Sequence, residues 1–340
     1  MGNDVLADAA LGGWMSTLEP LLPPLAAVAQ DFTALTGVPV DLPSALFLRA
    51  HLAGLGFPDR TSAGGSCHLL ETADGWAAVN LARPDDHAAV PALLALLGAA
   101  PHATLREAAR RVKAAEVAAH AQLLGVAAAE LGSARGTHAP VRAERLGERH
   151  VRDPATLRVV DLSALWAGPL CARLLGRAGA HVVKVESTTR PDGARRGAPA
   201  FYRWLHEDHE SLVLDFASGA LTEIVAEADV VIEASRPRAL RRLGVRAERF
   251  LAARPGRVWV GITGYGRDDD RIAFGDDAAA AGGLTGLDAQ GAPTFLGDAL
   301  ADPVTGVFAA RAAARSLAQG GGELLCVSMA ACAASLTDGG

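Results

Sequence analysis

Short apolar runs alternate with amphipathic segments through the second half of the chain. The apolar runs have the length of strands and read LRVVDLS, HVVKVES, ADVVIEAS and GRVWVGITGYG. Helical spacing is found between them, in WAGPLCARLLGRAGA and LTEIVAEA. Alternation of strands and helices through short connections is typical of βαβ units, in which helices flank a parallel sheet. The pattern therefore predicts an α/β fold over residues 151–340, with a Rossmann-like parallel sheet.

The first 150 residues have a different pattern. Helical spacing with interleaved charges predicts helices in PALLALLG and throughout LREAARRVKAAEVAAHAQLLGVAAAELG. HLLE and WAAVNLA have the pattern of short strands, and Asp74-Gly75 between them is a typical hairpin turn. The glycine-rich loop SAGGS precedes this hairpin, and a polar linker ends the region. We predict a smaller α+β domain over residues 1–150.

Composition and charge exclude several classes of protein. Half of the 340 residues are hydrophobic and the net charge is −6, which argues against disorder and against general nucleic-acid binding. No apolar run reaches the ~18 residues that a membrane span needs. The N-terminal MGNDVLADAA lacks the basic start and apolar core of a signal peptide. We therefore expect a cytoplasmic protein without a membrane partner.

The cysteines and histidines predict no metal site. The four cysteines form no C-x-x-C pair, and we expect them to be buried and reduced. His206 and His209 lie three residues apart in LHEDHE. Because the sequence places no third ligand beside them, a solvated surface turn is favoured over a metal centre.

The first βαβ unit has an incomplete dinucleotide signature. Glu186 ends its second strand, where a dinucleotide fold places the ribose ligand. The turn before the helix reads LWAGP (165–169) instead of G-x-G-x-x-G, so a pyrophosphate is not approached in the usual way. The sequence also lacks a P-loop and a G-x-S-x-G nucleophile elbow. Nicotinamide binding and serine hydrolysis are therefore disfavoured.

Arginines are concentrated after two of the predicted strands. Residues beyond strand ends converge on the ligand crevice of a parallel sheet, where guanidinium groups suit phosphate esters. Exposed arginines partly paired with Asp192 and Glu248 are the alternative, but two such groups favour a phosphorylated ligand. The groups are Arg190, Arg195 and Arg196 after the second strand, and Arg236, Arg238, Arg241 and Arg242 after the fourth.

A single acid begins the long predicted helix of ALADPVTGVFAARAAARSL. Asp302 is followed by Pro303, so one interpretation is a helix N-cap with proline at the first helical position. The other interpretation is a nucleophilic carboxylate. The local residues leave both open.

The ordered motifs resemble the class III CoA transferases, which include formyl-CoA and carnitine CoA-transferases and α-methylacyl-CoA racemase. The resemblance runs from VVDLSALWAGPLCARLLGRAGAHVVKVES through LVLDFAS, ADVVIEASRPRALRRLGV, PGRVWVGITGYG and GDDAAAAGGLTG to ALADPVTGVFAA, over roughly residues 155–335. SAGGSCHLLETADGWAAVNLARPDDH and the helical stretch after it resemble the small domain of the family. That domain usually follows the nucleotide-binding half, whereas here it comes first.

The resemblance implies an interlocked homodimer that acts on an acyl-CoA and a carboxylic acid acceptor, without a metal. It places the catalytic carboxylate on Asp302. Family members have Asn-Phe where this chain has Ala234-Ser235, and lysine where it has Ala217. The implied CoA-contacting positions are Leu165, Trp166, Ser187, Ala234, Ser235 and Arg242.

The implied mechanism is covalent. Asp302 attacks the thioester to form a mixed anhydride, the released CoA thiolate converts this to an aspartyl-CoA thioester, and the acceptor carboxylate takes the CoA through a second anhydride. The glycine-rich loops SAGGS (62–66) and AGGLTG (281–286) are either oxyanion donors or ordinary turns. The alternatives are a racemase, which would use Asp276 and Asp277 as its carboxylate pair, and a catalytically silent CoA-binding subunit.

Overall fold

A computed structural model describes residues 18–100, 102–235 and 237–337. Its first part contains two helices, a hairpin, three further helices and two strands. In chain order these are α1 (Leu22–Thr36), α2 (Leu42–Leu52), β1 (Cys67–Glu71), β2 (Trp76–Asn80), α3 (Pro84–Leu96), α4 (Leu105–Ala109), α5 (Ala114–Leu123), β3 (Ala127–Glu130) and β4 (Val141–Arg145).

The second part alternates strands and helices. In chain order these are β5 (Arg158–Asp161), α6 (Ala167–Arg177), β6 (His181–Ser187), α7 (Pro199–Leu205), β7 (Glu210–Leu214), α8 (Ala220–Glu227), β8 (Val230–Glu233), α9 (Pro237–Arg242), α10 (Ala247–Ala253), β9 (Val258–Thr263), α11 (Gly275–Ala281), β10 (Thr285–Leu287), β11 (Pro293–Phe295), α12 (Ala301–Ala318), β12 (Glu323–Ser328) and α13 (Met329–Ala334).

A seven-stranded sheet forms the centre of the molecule. Its strand order is β4-β12-β9-β8-β5-β6-β7. All neighbouring strands are parallel except for β4, which pairs antiparallel with β12. Without β4, the order is the doubly wound 3-2-1-4-5-6 arrangement, whose ligand crevice lies where the order reverses. The predicted Rossmann-like sheet is confirmed, and its reversal point lies between β5 and β8.

A three-stranded antiparallel sheet, β1-β2-β3, packs beside α11. The predicted hairpin is confirmed by the pairing of Glu71 with Trp76. The helix predicted to continue to residue 132 is wrong. Gly125 adopts a φ of +78° after α5, and Ala127–Glu130 then pairs with β2. Partners in a sheet override the helix propensity of alanine here, because this strand is mostly buried.

Helix α12 lies in the main hydrophobic core, between α6 and α1. Gly306 permits its close approach to α6, because a Cβ atom there would lie 2.8 Å from the carbonyl oxygen of Ala167. Both α1 and β4 precede residue 150, yet they pack against α12 and β12. The boundary near residue 150 stays a prediction, and the sequence before it contributes to the core around α12.

The cysteines match the expectation from the sequence. All four cysteines are free and buried. In the part of the chain that the structure describes, no helix combines the length and the hydropathy that a membrane crossing requires.

Candidate functional site

The sequence-predicted CoA positions lie along one edge of the large sheet. Strand β5 is paired with β6 on one side and with β8 on the other, with Asp161 opposite Lys184 and Ile232. The segments that leave these three parallel strands therefore emerge side by side at the reversal point. They carry Leu165 and Trp166 after β5, Ser187 at the end of β6, and Ala234 and Ser235 after β8.

The turn between β5 and α6 holds Leu165 in an unusual conformation. Its φ is +71°, although left-handed backbone is costly for a bulky residue and is concentrated at functional sites. The Leu165 N–H donates to Asp192 Oδ1 at 2.9 Å, and the other Asp192 oxygen pairs with the buried Lys184 at 3.1 Å. Buried ion pairing thus fixes a turn whose leucine side chain is 37% exposed.

The arginines near this edge differ in their pairing. Arg195 binds Glu186 at 2.5 Å, and this hydrogen bond lowers the pKa of Glu186 to about 2. Arg241 pairs with Glu248 at 3.0 Å, as the alternative interpretation anticipated. Arg242 is exposed at the end of α9, and no described carboxylate lies within ion-pair distance of it. Arg242 is therefore free to meet an anionic ligand.

The remaining members of the arginine groups give little further support for a phosphate site. Arg238 forms an exposed pair with Asp270 at 3.3 Å. Asp192, expected as a partner of the arginines, pairs with Lys184 instead. Arg236 lies outside the described residues.

Asp302 is the second residue of α12. The helix begins at Ala301 after the N-cap residue Leu300, and no side chain caps it. The N-cap interpretation of Asp302 is therefore wrong. Gly275, the first residue of α11, lies so close that a Cβ atom on it would be 2.4 Å from Asp302 Oδ2. The carboxylate thus lies where the first turns of α6, α11 and α12 approach one another.

Burial dominates the electrostatics of Asp302. It raises the pKa of this carboxyl to about 7, against the positive charge of Arg49. Asp276 and Asp298 raise this pKa further, whereas the backbone N–H of Ala167 at the start of α6 lowers it. The residue nevertheless keeps some contact with solvent. Near neutral pH, the site therefore holds a partly desolvated carboxylate that a ligand can reach.

Asp276 holds the turn that leads into α12. Its Oδ1 accepts the N–H of Ala299 at 2.9 Å, and Ala299 has a φ of +46°. The side chain of Ser62, in the SAGGS loop, lies close enough to Asp276 to lower its pKa. Burial, followed by the neighbouring charge of Asp298, raises the pKa of Asp276 to about 7. Asp276 thus joins a strained turn to the loop before the hairpin.

Asp277 has different hydrogen-bond partners from those of Asp276. Its Oδ1 accepts hydrogen bonds from Asn80 Nδ2 at 2.9 Å and from the N–H of Phe274 at 3.0 Å. Burial raises its pKa to about 7. Asp277 therefore links α11 to strand β2, and the two adjacent carboxylates do not share their hydrogen-bond partners.

Arg49 is a site residue that the sequence interpretation missed. It lies on α2, pairs with the buried Asp298 at 2.5 Å, and sits 5.6 Å from the ring centroid of Trp166. Its charge lowers the pKa values of Asp276, Asp298 and Asp302. The available signal was a lone arginine in the otherwise largely apolar segment LPSALFLRAHL.

The LHEDHE segment forms a surface turn in which Glu207 and Asp208 are exposed. His206 and His209 are partly buried and line a cleft of about 760 Å³ with Lys184, Arg195 and Tyr202. Burial lowers the pKa of each histidine to about 4. The expected surface turn is therefore confirmed, but its two histidines are less solvated than expected. Within the described ranges, no three histidine, cysteine or acidic side chains are grouped to hold a metal ion.

Comparisons with known proteins give a consistent result. The model of CoA-transferase family III matches residues 155–339. The chain is 29% identical over 188 residues to succinyl-CoA--D-citramalate CoA-transferase of Chloroflexus aurantiacus, covering 51% of this chain and 47% of that protein. It is 34% identical over 171 residues to the succinyl-CoA--L-malate CoA-transferase beta subunit of the same organism, covering 45% and 42%.

The chain spans about half the length of the curated relatives it matches. Human succinyl-CoA:glutarate CoA-transferase is 29% identical over 170 residues, which cover 45% of this chain and 39% of that protein. A crystal structure of Rv3272 from M. tuberculosis shares the fold, with a TM-score of 0.50, 24% identity, and coverage of 58% of this chain and 57% of that one.

Proposed function

Because the chain belongs to CoA-transferase family III, we propose that it transfers coenzyme A from an acyl-CoA to a carboxylic acid, with Asp302 as the nucleophile. The observation that carries this proposal is the position of the Asp302 carboxylate. It has a pKa near neutrality, is partly exposed, and lies against Ala167 at the start of α6, next to the turn of Leu165 and Trp166. A desolvated carboxylate held at a thioester is a competent nucleophile.

The proposed donor class is the CoA thioester of a small dicarboxylic acid. Three relatives with roughly 30% identity are named for succinyl-CoA, and their named acceptors are citramalate, malate and glutarate. Succinyl-CoA is accordingly the first donor to test, with small dicarboxylic acids as acceptors.

The proposed chemistry proceeds through four bond exchanges at Asp302. An Asp302 oxygen bonds to the acyl carbon while the C–S bond breaks, which gives an anhydride and CoA thiolate. The thiolate then bonds to the Asp302 carbonyl carbon and releases the donor acid. The acceptor carboxylate displaces the thiolate to form a second anhydride. In the last exchange, the thiolate takes the new acyl group and regenerates Asp302.

The proposed CoA site follows the carboxyl edge of the sheet. Leu165, Trp166, Ser187, Ala234 and Ser235 would line the coenzyme, because they leave three neighbouring strands at this edge. Arg242, exposed near them without a described carboxylate partner, would bind a phosphate. With a small Ala234-Ser235 pair at the fourth-strand turn, we expect little aromatic packing of the adenine there.

A racemase remains the second candidate. It is favoured by one observation, namely that Asp276 and Asp302 both have a pKa of about 7, which suits the exchange of a proton at the α-carbon of an acyl-CoA. The hydrogen bond that Asp276 accepts from the Ala299 N–H supports a positioning role instead. A cytoplasmic location and an interlocked homodimer also remain part of the proposal.

The test is a CoA-exchange assay with succinyl-CoA and a panel of free carboxylic acids. We expect new acyl-CoA species by mass spectrometry, together with a covalent adduct on Asp302 that hydroxylamine traps. Uptake of solvent deuterium at the α-carbon without an acceptor acid would favour the racemase. Binding of CoA with neither reaction would leave a silent subunit and would contradict the proposed transfer.

The raised pKa of Asp302 predicts a specific pH dependence. Only the ionised carboxylate is a nucleophile, so kcat/KM should rise about tenfold per pH unit below neutrality and level off above pH ~7. The measurement is kcat/KM between pH 5.5 and 8.5 with a donor that does not titrate in this range. A profile that is flat throughout would show that ionisation of Asp302 does not limit the reaction.

A further inference from the structure

The guanidinium of Arg49 is held by contacts that use only part of its donor set. Its Nη1 donates to Asp298 Oδ1 at 2.5 Å, and no second hydrogen-bond acceptor for it lies among the described residues. The Arg49 side chain is 37% exposed, whereas that of Asp298 is 1% exposed. Since an arginine can hold a carboxylate through two parallel hydrogen bonds, its remaining donors are available to an incoming anion.

The SAGGS loop lies beside these free donors. A Cβ atom on Gly64 would be 3.8 Å from Arg49 Nη2, and both Gly64 and Gly65 are exposed. The N–H of Gly65 donates to the carbonyl of Ser62 at 2.8 Å, whereas no described acceptor is within hydrogen-bond distance of the Gly64 N–H. The loop therefore adds an unused backbone donor next to an unused guanidinium edge.

The second glycine-rich loop, AGGLTG, is not accessible to a ligand in the same way. Gly282 and Gly283 of AGGLTG are buried. A Cβ atom on Gly282 would lie 2.6 Å from Ala333 Cβ, and one on Gly283 would lie 2.3 Å from Arg135 Nε. These glycines are needed for packing, so the SAGGS loop is the better candidate for contact with a ligand.

Several contacts place Arg49 and the SAGGS loop next to Asp302. Ser62, the first residue of the loop, lies beside Asp276, which in turn holds the Ala299 turn before Asp302. Arg49 also lies against Trp166, the N-cap residue of α6. Its positive charge lowers the pKa of the Asp302 carboxyl. A small molecule bound to Arg49 would therefore have its other end near the proposed nucleophile.

We propose that Arg49 and the Gly64 N–H form a subsite for the non-reacting carboxylate of a dicarboxylic substrate. The inference rests on the proposed function, because it names the substrate class of the same site. A carboxylate that is neutralised by a guanidinium is a weaker nucleophile, so this subsite suits the end of the substrate that does not react. Asp298 is then a positioning residue that orients Arg49.

The test compares acids that differ only in the second carboxylate. Arg49→Gln should lower kcat/KM for succinate about 10- to 100-fold, the range expected for a lost charge-assisted hydrogen bond. For butyrate, the change should be less than about threefold, because butyrate has no second carboxylate to lose a contact. The loss should appear mainly in KM. An unchanged succinate-to-butyrate ratio would overturn the subsite.

A matched control is available in Arg60. Its side chain is 38% exposed, it pairs with Asp288 at 3.0 Å, and it lies 5.4 Å from the ring centroid of Trp76. Arg60→Gln should leave the kcat/KM values for both acids unchanged. Because Arg49→Gln leaves Asp298 buried without its partner, the double variant Arg49→Gln/Asp298→Asn should show the same selective loss. Equal losses for both acids in the single and the double variant would overturn the proposal.

A binding measurement separates this inference from the proposed function. Ligand-observed NMR with succinate and butyrate should show Arg49-dependent binding of succinate only. If the wild-type protein transfers CoA to no acid of the panel, the proposed function fails, while selective binding of succinate still supports the subsite. If transfer occurs and succinate binds equally well to Arg49→Gln, the subsite fails and the proposed function stands.

Discussion

Replacing Asp302 by asparagine is expected to abolish CoA transfer, with a loss of at least about 10⁴-fold in kcat. An amide has nearly the same shape as a carboxylate, so the contacts with Gly275 and Ala167 are retained while the nucleophile is lost. Because burial disfavours the ionised form of this carboxyl, the variant should fold at least as stably at pH 8. The measurements are isotope exchange between acyl-CoA and free acid, and intact-mass detection of the adduct.

Asp277→Asn is the informative comparison for this prediction. Asp277 also has a pKa of about 7, but its carboxylate contacts Asn80 and the Phe274 N–H. We expect this variant to retain the covalent adduct and to lose mainly thermal stability. An adduct that persists in Asp302→Asn and disappears in Asp277→Asn would show that Asp277 is the nucleophile, and it would contradict the proposed role of Asp302.

Gly275→Ala should damage the same site without removing any functional group. The added Cβ atom would lie 2.3 Å from the carbonyl oxygen of Ala299 and 2.4 Å from Asp302 Oδ2. Displacement of the nucleophile by about 1 Å can cost ~100-fold in rate, and overpacking costs about 1–3 kcal/mol of stability. The measurements are kcat/KM for transfer and the free energy of unfolding in urea.

Gly56→Ala provides the control for the added methyl group. Gly56 is exposed, and a Cβ atom there would meet nothing within 4 Å. Its substitution should leave rate and stability unchanged. A wild-type kcat/KM for transfer in Gly275→Ala would show that the Asp302 carboxylate does not react from the position that it has in this structure.

Local sequence patterns predict some of the strands and helices better than others. The edge strand β4 (Val141–Arg145) was missed, because it is mostly exposed and lies in the predicted polar linker. The central strands β5, β6, β8 and β9 were predictable, because each is a short and mostly buried apolar run. Strand β3 was not, because Ala127–Glu130 consists of three alanines and a glutamate and its conformation depends on pairing with β2. The burial of His206 and His209 was missed for a similar reason, since it depends on how α7 folds back over the sheet edge.

The sequence by itself determined the alternation of strands and helices in the Rossmann-like half and, through the family resemblance, the candidate Asp302, because hydrophobic periodicity and short motifs are local properties of the chain. The tertiary structure alone decided which groups surround that carboxylate. Arg49, Asp298 and the SAGGS loop come from segments far apart in the chain, and their meeting depends on the packing of α1 and α2 against α6 and α12. Burial, which raises the pKa of Asp302, is a property of that packing and not of any one segment.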